Sequence, residues 1–328
     1  MRRRRVKIKD RTAYYHIFSR VVDRDFKFGP AEKDEFRRIL WDAVFFSDVK
    51  LLTFAIMSNH FHVLIKVVPR AGEIPEKTVL ARIRRLYGEA YGANVEREWE
   101  ELKKNGETRE LQSRIASYTY RMNDMSEFGK TLKQRFTMRY NSMHKRTGTL
   151  WEGRFRSVIV EGDRCGEVLS AMAAYIDLNA VRAGIVERAE EYRWCGYGAA
   201  VRGNAEAREG IEEVLPVVEK RRWRRIAAAY EELLYPKVGQ EFKREEVKQW
   251  IQKRKPMPVP ILLRCRYKPF TGGMALGSKV FVEAFFEENR ELFGEKRKTG
   301  ARRIGHCSAW KGVCAARRLR KDVVTLPI

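Results

Sequence analysis

Two histidines one residue apart open an apolar, β-branched run in the stretch MSNHFHVLIKV, residues 57–67. In an extended strand successive side chains point to opposite faces, so His60 and His62 project to the same side, together with Leu64 and Lys66. Imidazole nitrogens at this spacing suit a borderline divalent metal. Two ligands do not complete a site, however, and a hydrogen-bonded histidine pair at a strand end is the competing reading. A second constellation lies in AAYIDLNAVRAG, residues 173–184, where Tyr175 and Asn179 stand four apart and share one helix face. A phenol and an amide oxygen on a helix, beside two imidazoles on a strand, would assemble a nucleophile and a three-ligand divalent site. Magnesium or manganese would suit it, with water completing the shell. The chemistry such a site supports is transesterification at a phosphodiester: Tyr175 attacks phosphorus, a covalent phosphotyrosine forms, and a hydroxyl-ended strand is released. A phenol ordinarily ionises near pH 10, about three units above neutrality, so metal or basic neighbours must help it lose the proton. Taken singly, Tyr175 reads equally as a core tyrosine with a wet hydroxyl, and Asn179 is similarly ambiguous.

Composition narrows the partner. Lys plus Arg number 67 against 43 Asp plus Glu, a formal net charge of +24 on 328 residues, which points to a polyanion such as nucleic acid. A hydrophobic fraction of 44% supports ordinary packed cores. No membrane-length apolar run occurs, and MRRRRVKIKD lacks the apolar core of a signal peptide, so a cytoplasmic, nucleoid-associated protein is expected. The five cysteines (Cys165, Cys195, Cys265, Cys307, Cys314) are scattered and form no CxxC pair, which supports neither a disulfide framework nor a zinc ribbon; His306 with Cys307 and Cys314 would lack a fourth metal ligand. The stretch HKRTGTLWEGRFR supplies Lys145, Arg146, Arg154 and Arg156 with Trp151 and Phe155 interleaved, a composition that can hold phosphates and stack unpaired bases. Arg154 and Arg156 would share a strand face. A solvated loop with Trp151 as a core plug is the alternative. His16 falls on the first strand, either behind the histidine pair, against the DNA, or as a structural histidine. Arg2 to Arg5 read as a flexible arm adding sequence-independent affinity.

The elements that must position these groups follow from periodicity. AYYHIFSRVV reads as a strand; a helix with Phe36, Ile39, Leu40, Ala43 and Val44 at helical spacing follows Pro30; KLLTFAIM and HFHVLIKV form two strands joined at Ser58-Asn59. Residues 71–125 are charged and helical in pattern and read as an inserted helical pair. A basic amphipathic helix ended by Gly148, the strand RFRSVIVE, and a helix running from an Asp163 N-cap to Gly184 complete the unit. The order strand, helix, two strands, helix, strand, helix predicts an α+β fold: a ferredoxin-like, mostly antiparallel sheet with packed helices. Residues 1–200 form this domain. Residues 201–328 read as an all-helical basic domain suited to DNA binding.

Together MSNHFHVLI, RTGTLWEGRFRSVIVE and YIDLNAVRAGIVERAEEYRWCGY resemble the single-tyrosine HUH transposases, specifically the REP-associated tyrosine transposase branch. His60-Phe61-His62 matches the histidine-hydrophobe-histidine motif, and Tyr175 falls at the family's nucleophile position in Y-I-x-x-N-x-V-R-x-G. Asn179 falls where a polar side chain on the same helix completes the metal site, a position occupied by Gln in related transposases. Arg182 of that motif joins the expected DNA contacts. The resemblance covers about residues 10 to 200 and implies the HUH endonuclease fold, cleavage of single-stranded DNA at hairpin-associated (REP-like) sites, a 5′-phosphotyrosine intermediate, a divalent metal, and a possible homodimer. It does not imply mobility. Two rivals remain: a domesticated, non-catalytic DNA- or RNA-binding regulator, and an RNA-processing phosphodiesterase using the histidines as acid and base.

Overall fold

In the computed structural model, residues 5–162, 166–216, 222–236, 242–253, 255–304, 312–316 and 324–326 are described. Arg2 to Arg4, the Asp163 cap, Cys165, His306 and Cys307 lie outside them. The elements are β1 Ala13–Arg20, α1 Pro30–Ser47, β2 Lys50–Ile56, β3 His60–Val67, α2 Glu76–Tyr87, α3 Glu89–Lys104, α4 Thr108–Thr119, α5 Met125–Met143, β4 Arg156–Val160, α6 Gly166–Asp177 and α7 Asn179–Arg182. After these come α8 Gly196–Val201, α9 Ala205–Val214, α10 Trp223–Leu234, α11 Arg244–Gln252, α12 Val259–Arg264, β5 Arg266–Tyr267, α13 Pro269–Gly272, β6 Ala275–Ser278, α14 Lys279–Glu288, β7 Arg302–Arg303, β8 Val313–Ala315 and β9 Val324–Thr325.

Local chemistry explains the main boundaries. Pro30 opens α1, and Glu32 reaches back to the Gly29 amide at 2.8 Å, satisfying an end donor that the helix cannot. Phe36, Ile39, Leu40 and Ala43 form its buried stripe. Asp124 caps α5 by accepting from the amides of Ser126 and Glu127 at 2.7 and 3.0 Å. That helix stops at Met143 rather than Gly148, which sits in the following turn at φ 86°.

The sheet is mixed, in the order β2-β3-β1-β4-β6-β8-β7. The first four strands pair antiparallel throughout. β6 then lies parallel to β4, pairing Ala275 with Ile159 and Leu276 with Val160, and β8 and β7 follow antiparallel. The architecture is therefore α+β, a mixed sheet with flanking helices and a C-terminal helical region. The expectation that this region is all-helical is corrected. Its strands of two to four residues are too short to show alternation and exist through pairing with distant partners. One apolar core runs from Val158 and Ile159 into Leu262, Phe270, Leu276 and Val313. No helix among the described residues is long and apolar enough to cross a membrane.

Two further expectations change. The inserted pair at 71–125 is three helices, α2 to α4, because Gly88 and Gly106 take up left-handed conformations (φ 98° and 73°) that divide them. They close on Trp99, Val79, Ile83 and Val95 with Phe46 of α1, a small core of their own. The helix expected to run unbroken to Gly184 pauses at Leu178 (ψ 5°) before α7, and Gly184 at φ 65° follows its end.

Behind α6, Asp177 is fully buried. Thr53 Oγ1 of β2, the Tyr230 hydroxyl of α10 and the Tyr197 amide of α8 donate to it at 2.9, 2.7 and 2.9 Å, tying four elements together. Burial outweighs these donors and pushes its carboxyl up to about 6. A folded-state value raised above the unfolded one makes the protonated group a source of stability below about pH 4 that is lost as pH rises through about 6. Asp177→Asn is expected to flatten the stability profile across that window by about 3 kcal/mol, measured by urea unfolding at successive pH values. An identical pH dependence in both proteins would refute it.

Candidate active site

Register places the chemistry. β1 and β3 set Arg20 opposite His60, Phe18 opposite His62 and His16 opposite Leu64, while β4 brings Arg156 opposite Phe18. Directly opposed residues share a face, so His16, Phe18, Arg20, His60, His62 and Arg156 line one side of the sheet. The rings of His16 and Phe18 stack on His62 with centroids at 5.0 and 5.5 Å, and His60 stands perpendicular to His62 at 5.2 Å.

Hydrogen bonds assign the tautomers. The carbonyl oxygen of Phe270 in α13 can only accept, so His16 Nδ1, 2.8 Å away, carries the proton and Nε2 the lone pair. That lone pair lies 2.8 Å from His62 Nδ1, which must then donate. Asn59 plays the corresponding part for His60. Its Nδ2 donates to the Arg24 carbonyl at 2.8 Å, which leaves Oδ1 to accept from His60 Nδ1 at 2.6 Å. In both site histidines Nε2 is therefore the bare nitrogen. Burial pushes His16 and His60 down to about 4 and His62 well below its ordinary value, so all three are neutral near pH 7.

Asn179 Nδ2 donates to the Ile176 carbonyl at 3.1 Å. Its side chain also favours the protonated form of the His60 ring, the effect of an acceptor oxygen nearby. Two imidazole lone pairs and an amide oxygen are an all-acceptor set, which fits a divalent cation with water in the remaining positions. Among the described residues no group of three His, Cys, Asp or Glu is placed to hold a metal ion.

Tyr175 lies on α6, 6% exposed, its ring edge-on to Phe270 at 4.8 Å. The Arg182 guanidinium sits 3.9 Å above that ring and donates to the carbonyls of Tyr175 at 2.6 Å and Leu263 at 2.8 Å. Its charge bears on all three histidines. Arg182, expected on DNA, is thus buried and committed to holding α6, α7 and α12 together.

The basic stretch divides. Lys145 and Arg154 are exposed, and Arg156 is exposed at the start of β4, which Arg154 precedes. Arg146 donates to the Thr149 carbonyl at 3.0 Å. Trp151, expected to stack bases, is a core residue: its indole N–H donates to Thr137 Oγ1 at 2.9 Å and its ring packs against Phe28 and Phe61. Arg5 of the expected arm lies 3.6 Å over the Phe155 ring.

Several residues escaped sequence reasoning. Arg20 follows His16 and Phe18 by strand alternation and was legible on that ground. Asn59 stands beside His60 in the opening motif. Leu263, Arg266 and Phe270 come from remote sequence and carried no signal, yet Arg266 adds positive charge near His60 and Arg182.

No protein-family model matches the chain, and no curated protein matches it. Among solved structures it has weak similarity to one described as the REP associates tyrosine transposase bound to a REP hairpin, with 13% identity, a TM-score of 0.38, and coverage of 62% of this chain and 86% of that one.

His16→Ala would leave the Phe270 carbonyl and His62 Nδ1 without partners in the interior. The expected loss is roughly 2–5 kcal/mol of unfolding free energy, measured by urea denaturation. An unchanged midpoint would show that neither group depends on His16.

Proposed function

We propose that the chain is a metal-dependent tyrosine endonuclease and strand transferase of the HUH class, built on a ferredoxin-like sheet and acting on single-stranded DNA at hairpin-associated, REP-like sites. The observation that carries the reading is the position of Phe270. Its ring touches Tyr175 while its carbonyl holds His16 against His62, so the candidate nucleophile and the histidine pair are two sides of one packed site. The antiparallel order β2-β3-β1-β4 supports the fold assignment.

In this reading His60, His62 and Asn179 hold a magnesium or manganese ion, which when bound withdraws charge from the non-bridging phosphate oxygens and orients the scissile bond. Arg182 favours negative charge developing on the Tyr175 oxygen through its place above the ring. The phenolic oxygen bonds to phosphorus, the bond from phosphorus to the 3′ oxygen breaks, and the products are a 5′-phosphotyrosine and a free 3′-hydroxyl. Attack by another hydroxyl reverses the step and joins strands without an energy cofactor. Neutral His60 and His62 are unsuited to acting as an acid–base pair near pH 7, which counts against the RNA phosphodiesterase alternative.

A second reading, a non-catalytic DNA- or RNA-binding regulator, is favoured by one fact: Tyr175 is only 6% exposed. The two separate in one assay. Wild-type protein incubated with labelled hairpin oligodeoxynucleotides and manganese is expected to give a denaturation-resistant adduct that Tyr175→Phe does not form. Binding without an adduct across a broad hairpin library would establish the regulator. His60→Ala is expected to lose cleavage, by at least about a hundredfold, while keeping salt-sensitive binding; normal cleavage by that variant would remove the metal from the proposal.

A further inference from the structure

The loop between β1 and α1, residues 21–29, carries Phe26 at 82% exposure, the most exposed of the large apolar side chains among the described residues. A solvated phenylalanine on a slack loop would mean little, but this loop is held. Asn59 Nδ2 binds the Arg24 carbonyl at 2.8 Å, the Phe28 amide donates to the Ser58 carbonyl at 2.9 Å, and the Val22 amide donates to the Leu150 carbonyl at 3.0 Å. Asp23 and Arg24 stand at φ 58° and 61°, conformations that non-glycine residues adopt only when their surroundings impose them. Asn59 is also the residue that fixes His60, so one side chain ties the loop to the histidine face.

The charges around the loop match. Arg20 lies directly across from His60 and Arg156 directly across from Phe18, so both emerge at the strand ends on the histidine side. Arg20, Arg24 and Arg156 are exposed, and none of their guanidinium groups is paired with a carboxylate among the described residues. Glu152 is the acidic group whose charge reaches Arg20, and Asp25 is neutralised by Lys27 at 2.7 Å. Guanidinium groups that feel one another's charge, with Glu152 the one acidic group acting on Arg20, suit phosphates, and an exposed aromatic ring on the same loop as Arg24 offers a platform for a base.

We propose that loop 21–29 and the two strand-end arginines form a single-stranded DNA subsite, in which Phe26 stacks on one unpaired base while Arg20, Arg24 and Arg156 hold the adjoining phosphates. The inference deepens the reading above by placing the strand that leads into the histidine face. A duplex keeps its bases stacked on one another, so Phe26 selects for unpaired nucleotides.

The test is binding, not cleavage, and runs in EDTA so that it is independent of the adduct assay. Fluorescence anisotropy compares a labelled DNA hairpin bearing a short single-stranded extension with the same hairpin made blunt. Phe26→Ala is expected to weaken binding of the extended hairpin by about tenfold and leave the blunt one unchanged, with Phe26→Trp restoring affinity. Arg20→Ala is expected to lower the slope of log affinity against log salt by about one. Wild-type affinity in Phe26→Ala, an equal loss on the blunt hairpin, or an unchanged salt slope in Arg20→Ala would overturn the subsite. Tighter Phe26-dependent binding of the matching RNA would also overturn it, making RNA the occupant. If the Phe26 dependence appears while no adduct ever forms, the subsite stands and the cleavage reading falls.

Discussion

A backbone carbonyl can accept a hydrogen bond and never donate one, and the carbonyl of Phe270 ends a buried line through His16 to His62. The direction of every proton along that line follows from this asymmetry, including the bare Nε2 that His62 presents. Each group on the line would cost roughly 1–3 kcal/mol if left unpaired in the interior, so the line stands or falls as a unit. It also spans the chain: β1, β3 and α13 must all be in place before the histidine face has its chemistry.

That dependence gives the C-terminal segment a different standing from an appended module. α12 supplies the Leu263 carbonyl to Arg182, α13 supplies the ring and carbonyl of Phe270, and β6 extends the sheet beside β4. α6 is clasped from both sides as a result. Tyr175 is held between Arg182 and Phe270, while two residues on Asp177 binds β2, α8 and α10. A shift of α6 large enough to move the phenol would disturb a buried carboxylate that four elements share.

Positive charge is abundant in this chain, and its placement matters more than its sum. Arg38, Arg85 and Arg139 face carboxylates on and around α1, and Arg182 faces carbonyls; these hold the fold. Among the described residues, the arginines at the ends of β1 and β4 form no ion pair with a carboxylate. A field concentrated there attracts an anion, and the neutral histidines add no further charge to it.

The shared face of His60 and His62 was readable because strand alternation is local geometry, and the same rule applied one strand earlier would have added Arg20. Trp151 and Arg182 were misplaced for a common reason: amphipathic side chains suit both a nucleic-acid surface and a protein interior, and only their neighbours decide which. For Trp151 those neighbours are Phe28, Phe61 and Thr137; for Arg182 they are the carbonyls of Tyr175 and Leu263. The three-helix insertion was half legible, since its charge pattern showed helices while the left-handed glycines that divide them followed from packing. By itself the sequence determined the early order of strands and helices, the facing of the histidine pair and the basic character of the protein, all of which depend on residues near one another in the chain. Only the tertiary structure decided which nitrogen of each histidine is bare, which arginines are buried and that residues beyond 260 complete the site, because hydrogen-bond direction and burial are set by contacts between segments as much as 254 residues apart.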